Sequence, residues 1–378
     1  MSRKQERIDK EDYLYKWPIG WIIVLIVLTI FTLFAPLIFS IRPSLYDFPK
    51  DFDKIATGIG VMSPFVAICA AILTYLAFRM QFLANKKMLD DSARQQVERQ
   101  FYEMLKIHKD NVNKLQWKIF ESETENVVDV MNLNSSCGNT LTKGIMKEYT
   151  HIPRNGNGVL SFFLNELTLI YLCVKEIWNA KKKEKEEIFF AAYEIFFEGI
   201  QKSSQLSLAE KKLMRNIQDK IRDPRNSGNF LETDIYKKCG KIGRCNVFTG
   251  HRDVLNSYYR HLFYTVKTVV NSPVYKDDDE RLTYLKILRS QMTSEEQTLL
   301  LFNWYAGYGT EWECKKEKLE NHFFTQYKMI HNIEKTDVEC VFSEEELKKL
   351  FVPKYIDEEG WKQMFEFEER KQKLQEKT

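Results

Sequence analysis

A few side chains in this 378-residue chain have the type and spacing for chemistry. Arg244 and His251 have six residues between them, an arginine and a histidine near enough in sequence to share a site. His251, Arg252, Tyr259, Arg260 and His261 crowd polar groups into one stretch. They either meet an anionic ligand or nucleic acid, or pack in and around a core helix. Cys239 and Cys245 in CGKIGRC have five residues between them. Zinc ligands are usually separated by about two to four and come with a second pair. Asp277, Asp278, Asp279 and Glu280 could hold a divalent cation, or could offset the dipole of the helix that follows. No phosphate loop, G-x-S-x-G nucleophile turn or H-E-x-x-H metal helix occurs, and the six histidines are dispersed. The expectation is a protein that is not an enzyme and uses no metal or cofactor, with Arg244 and His251 as the nuclease alternative.

The elements around these residues begin with two apolar blocks. Trp17–Ile41 contains no charge, and Ile19–Ile41 holds sixteen Ile, Val, Leu or Phe. Such a run favours bilayer insertion by roughly 5 to 10 kcal/mol. Gly58–Phe78 is weaker, with nine such residues plus Ser63, Pro64, Thr74 and Tyr75; it is worth about 3 to 5 kcal/mol before polar costs. Ser63, Ala67 and Ala71 form a small-residue stripe at four-residue spacing, suited to close helix packing within one hairpin or between copies of the chain. Arg3, Lys4, Arg7, Lys10 and Lys16 precede the first block, and Arg79, Lys86, Lys87 and Arg94 follow the second. Only Arg42, Lys50 and Lys54 lie between the blocks, so the positive-inside rule puts both termini in the cytoplasm. The seven cysteines form no framework and read as reduced thiols.

The organisation expected is a cytoplasmic N-terminus over 1–16, a transmembrane helix over 17–41, a periplasmic loop over 42–57 and a second transmembrane helix over 58–78. A juxtamembrane helical stalk over 79–116, a linker over 117–158 and a cytoplasmic helical domain over 159–378 follow. In the stalk, Phe82, Leu89, Ala93, Val97, Phe101, Met104, His108, Val112 and Leu115 recur at helical spacing. In the domain, Leu160, Phe163, Leu164, Leu167, Ile170, Tyr171, Val174 and Trp178 share one helix face, as do Leu255, Tyr258, Leu262, Val266 and Val269. Capping boxes mark helix starts at Ser207 with Glu210, Thr293 with Glu296, Thr310 with Glu313, and Ser343 with Glu346. With 15 Gly and 9 Pro and no strand alternation of useful length, the fold class expected is all-α: a two-helix transmembrane hairpin, a long juxtamembrane helix and a helical cytoplasmic domain. The net charge of +3 is too small for a dedicated nucleic-acid binder.

Three segments stand out together. Gln100–His108 (QFYEMLKIH) leads on to Asn111. Gly250 and His251 precede Tyr258–Phe263 and Thr265–Lys267. Leu288–Met292 (LRSQM) precedes Glu295 and Leu299–Asn303. In this order they resemble the phage abortive infection family of bacterial membrane proteins, with Phe101, His108, Asn111, His251, Arg260, His261, Arg289 and Gln291 carrying the likeness. The resemblance implies a multi-pass protein of the bacterial inner membrane that compromises that membrane when infection is sensed, causing cell death or growth arrest. Its partners would then be the lipid bilayer and further copies of itself. The two-span effectors of some retron systems are similar, which implies control by a reverse transcriptase with its RNA–DNA hybrid, or by another defence component. The Arg244…His251 pair loosely resembles that of HEPN ribonucleases, although there the two residues share a helix and here Phe248–Gly250 reads as a loop. A non-catalytic membrane scaffold is the third alternative.

Overall fold

The computed structural model describes residues 52–131, 141–155, 157–222, 247–316 and 319–375, with some helical positions between 20 and 30. Most of the described residues are helical. Helix α1 runs from Phe52 to Lys114 and contains the whole Gly58–Phe78 block. No glycine or proline falls between Ser63–Pro64 and its end, so nothing breaks the helix over that length. By contact the chain divides into two compact units, 1–96 and 97–378. In the first, Ile23, Val24, Ile26, Val27 and Ile30 of the first apolar block are helical and exposed, as are Val66, Ile68, Leu73 and Phe78 of the second. Ser63, Ala67 and Ala71 lie on α1, and Ala67 and Ala71 are exposed. The stripe expected over Phe82–Leu115 has two characters. Phe82 and Leu89 are 62% and 71% exposed, whereas Phe101, His108, Val112 and Leu115 are buried.

The second unit is built around α2 (Asn157–Ile177), which packs against α3 (Lys185–Glu198) and, further along the chain, α7 (Ser294–Tyr305). Between them lie α4 (Leu208–Arg222), α5 (Arg252–Asn271) and α6 (Asp278–Arg289), with α5 packed on α6 and α3. The eight apolar residues expected on the inner face of α2 are all buried, and so are the five on α5. Burying each such Leu, Ile, Val or Phe contributes about 1.5 to 3 kcal/mol. Aromatic edges fill the centre. Phe189 meets Phe302 at 5.4 Å and Tyr305 at 5.2 Å between ring centroids, and Phe163 meets Phe196 at 6.1 Å. Short helices α8 (Lys335–Val338), α9 (Glu344–Phe351), α10 (Glu358–Met364) and α11 (Glu366–Gln375) close the chain.

Three of the four expected capping boxes start helices. Ser207, Thr293 and Ser343 each hold the glutamate three residues on, and α4, α7 and α9 follow them. Thr310 does not: only a single 3-10 turn, Thr310–Trp312, follows it. Its intended partner Glu313 is buried and turned to another task. The carboxylate accepts from the backbone N–H of Phe324 at 2.9 Å and Thr325 at 3.1 Å, and from the Thr325 hydroxyl at 2.7 Å. The pattern is local and the competing donors are not, so spacing alone could not show it. Two short strands, β3 (Glu313–Lys316) and β4 (Leu319–His322), pair antiparallel at this point.

The stretch read as a linker is also different. Gln116–Met131 (β1) and Leu141–Asn155 (β2) form an antiparallel hairpin with a register shift between Phe120 and Ser122. Such a shift moves the residues beyond it onto the opposite face, which breaks the period-two pattern a reader looks for. Runs such as Val127-Val128 and Glu121–Glu125 obscure it further.

Candidate functional site

His251 is the hub of a buried pair. Its Nε2 lies 2.8 Å from Glu166 Oε2 in the middle of α2, and the other carboxylate oxygen accepts from the Phe248 backbone N–H at 2.6 Å. The imidazole is sandwiched by Phe163 and Phe196, at 4.4 Å and 5.0 Å between ring centroids. Its backbone N–H reaches the carbonyls of Phe196 and Phe197, so the residue joins α2, α3 and the start of α5. The loop before it meets the end of α3 backbone to backbone. A Cβ on Gly250 would lie 2.6 Å from the Glu198 carbonyl carbon, and one on Gly199 would lie 2.6 Å from the Thr249 oxygen. Both glycines have φ near +90°, at +88° and +89°. No other residue fits such an approach without strain. The Gly250–His251 motif is therefore a lock on the fold.

His108 makes a second buried pair across the unit. Its Nε2 is 3.1 Å from Glu296 Oε1, off the hydrogen-bonding direction, and each side chain is 1% exposed. The Glu296 backbone N–H and its other carboxylate oxygen complete the Thr293 capping box, so one residue starts α7 and also faces α1. His261 and Tyr258 on α5 approach the same place. The His108 and Tyr258 rings are 5.6 Å apart, and the Tyr258 hydroxyl and His261 Nδ1 are buried without a hydrogen-bond partner among the described residues. Burial lowers the His261 pKa, and His108 lowers it further. A neutral imidazole is what such a closed setting selects.

The other motif residues spread out. Phe101 is buried edge-on to Tyr284 at 5.3 Å, Asn111 is half-buried and Gln291 is exposed. Arg289 donates to the Lys328 carbonyl at 2.9 Å, pinning a residue with positive φ. Asp277 caps α6 by accepting from the Glu280 N–H at 2.9 Å, and Asp278 accepts from Arg281, Tyr327 and Gln326. The acidic run thus starts a helix, and no group of three potential metal ligands occurs among the described residues. Arg244, Cys239 and Cys245 lie outside the described residues.

Arg260 differs from its neighbours in the motif because it faces solvent. It lines an open cleft of about 360 Å³ with Arg252, Asn256 and Tyr264 of α5, and with Asn303 and Tyr308 from the end of α7. The Arg252 guanidinium bridges both oxygens of Glu198, at 2.9 Å and 3.1 Å. Asn303 is held by the Tyr193 hydroxyl, to which it donates at 2.8 Å. Tyr308 rests on Phe197, with ring centroids 4.6 Å apart, and burial followed by Glu198 and Glu194 raises its pKa, so the phenol stays a donor. Of the five polar residues grouped over 251–261, the structure brings Arg252, Tyr259 and Arg260 to this cleft and sends His251 and His261 inward. Asn256 and Tyr264 were missed in the sequence. Their signal is the four-residue spacing 252, 256, 260, 264 opposite the apolar stripe.

Residues 250–338 match the family model described as "Putative phage abortive infection protein". The match begins at Gly250 and takes in α5, α6, α7 and α8, so the resemblance seen in the second and third motif segments holds there. No curated protein and no solved structure matches the chain.

Proposed function

We propose that this protein is a membrane effector of abortive infection, which compromises the inner membrane when phage infection is sensed. The family match over 250–338 supports the defence role. The observation that carries the membrane part is the apolar stretch of α1 beginning at Val66: it is long and apolar enough to cross a bilayer, and none of it is buried in protein. A surface of this kind is covered by lipid or by partner helices. Two uncharged spans cannot enclose a polar path in one copy, so activity requires self-association, with Ser63, Ala67 and Ala71 as the contact. A toxic effector must also be restrained. A reverse transcriptase with its RNA–DNA hybrid, or another defence component, would bias it between two states.

A potential-sensitive dye in cells expressing the protein tests this reading. Depolarisation should accompany growth arrest and should weaken when Ala67 and Ala71 are both replaced by Leu. Growth arrest with the membrane potential intact would refute it. The nuclease alternative has less support, because the His251 imidazole is buried and its Nε2 is engaged by Glu166. Full toxicity of Arg244→Ala would remove that alternative.

A further inference from the structure

We propose that the cleft along α5 binds a nucleoside phosphate, the arginines taking the phosphate and the exposed tyrosines taking the base. Arg252, Asn256, Arg260 and Tyr264 recur every four residues and so line one side of the helix, opposite the buried Leu255, Leu262 and Val266. Arg260 has no ion-pair or hydrogen-bond partner among the described residues. A guanidinium offers five fixed donors, and its planar fork matches a phosphate. Arg252 adds a second guanidinium, half-exposed at 56% despite its pairing with Glu198.

The aromatic part of the lining argues for more than a bare anion. Tyr264 and Tyr308 are 55% and 44% exposed, and two large ring surfaces in a cleft that also holds the Arg260 guanidinium suit a planar base. Asn256 supplies an amide able to donate and accept at a base edge. Glu311 is the single acidic residue of the lining, and with Arg252 paired to Glu198 the cleft's unpaired guanidinium among the described residues is that of Arg260. The volume lies near the lower end of the range for small-ligand pockets, enough for one nucleotide and not for a folded duplex. The shared chemistry fits a free mononucleotide and the phosphorylated end of a single strand equally. This assignment is independent of how the protein acts on membranes.

Calorimetry on the full-length protein in detergent micelles tests it, with ATP, AMP, inorganic phosphate, and a short single strand bearing either a 5′-phosphate or a 5′-hydroxyl. Saturable binding of at least one nucleotide probe is expected. Arg260→Gln should weaken it roughly tenfold or more. Tyr308→Ala should weaken it several-fold, while Lys286→Gln on exposed α6 surface leaves it unchanged. Arg260 is exposed, so its variant should unfold at the parent temperature, which a melt run alongside confirms. Preference for ATP or AMP identifies a free ligand, and preference for the 5′-phosphorylated strand over its hydroxyl twin identifies a strand end; either supports the proposal. It is overturned if no nucleotide saturates at millimolar concentration, if Arg260→Gln and Lys286→Gln behave alike, or if inorganic phosphate binds as tightly as ATP.

Discussion

The apolar stretch of α1 that begins at Val66 and helix α2 over Gly158–Ile177 both have the length and apolarity to cross a bilayer, yet their surroundings are opposite. None of the first is buried within the protein, against 67% of the second. Hydropathy measures what a helix would lose in water, and protein or lipid can each supply the shelter. The polar residues separate the two cases. Glu166 sits mid-way along α2 and is satisfied by His251 and Phe248, which only a folded protein interior provides. The block from Gly58 to Phe78 has no ionisable acid or base besides Cys69 and Tyr75, and its Thr74 hydroxyl is spent on the Ala70 carbonyl at 2.8 Å within the helix.

The largest effect expected from this contrast is in partitioning. A fragment covering 97–378 should stay in the supernatant after ultracentrifugation without detergent, while the full chain sediments with membranes. A fragment that sediments as well would break the comparison. Next is a pair of matched substitutions. Ile170→Asp buries an unpaired charge in the core and should cost more than about 4 kcal/mol, seen as loss of a protease-resistant domain. Ile68→Asp should leave the melting temperature of the second unit unchanged.

Smaller effects sharpen the same point, because they belong to the folded unit and should persist without residues 1–96. Glu166→Ala removes the buried carboxylate that meets His251 Nε2 and the Phe248 N–H, and should cost about 3 kcal/mol by denaturant unfolding. Burial alone would push the Glu210 carboxyl up, but Lys181, Ser207 and Trp178 outweigh it and hold the pKa at about 2. Since the folded value lies below the usual 4.5, this stabilisation is present above pH 4.5 and is lost as pH falls toward 2. Thermal unfolding across that window should show it, and Glu210→Gln should remove its share of the dependence, leaving that of Glu344 and Glu346, which are also held at about 2. Smallest of all is the contrast between two caps. Ser343→Ala should cost about 1 kcal/mol and Thr310→Ala less than about 0.5 kcal/mol, because only the first caps a helix.

Much of the fold was legible where one helix face determines burial. The α2 and α5 stripes and the boxes at Ser207, Thr293 and Ser343 needed only local spacing. The hairpin was not legible, because a register shift and runs of like residues break its alternation. The partners of His108, His251 and Glu313 were also hidden. The two histidines are reached across a long stretch of chain, His251 from Glu166 and His108 from Glu296. Glu313 reaches Phe324 and Thr325 only through the fold of the short β3–β4 hairpin, and a single sequence carries no trace of such meetings. For the candidate site, Arg260 was singled out, but as part of a motif whose histidines turn inward. The cleft needed the loop after α7 to bring Tyr308 opposite α5, and no spacing within α5 foretells that.

Glu166 has one more consequence, which concerns counting. A topology drawn from hydropathy alone would enlist α2 as a third crossing, and an odd tally reverses the side on which everything after Ile177 emerges. The α5 cleft and the whole 250–338 segment would then be drawn facing the periplasm. On the two-span reading proposed above, one carboxylate with two partners takes α2 out of the tally, and that reading puts any ligand of Arg260 in the cytoplasm.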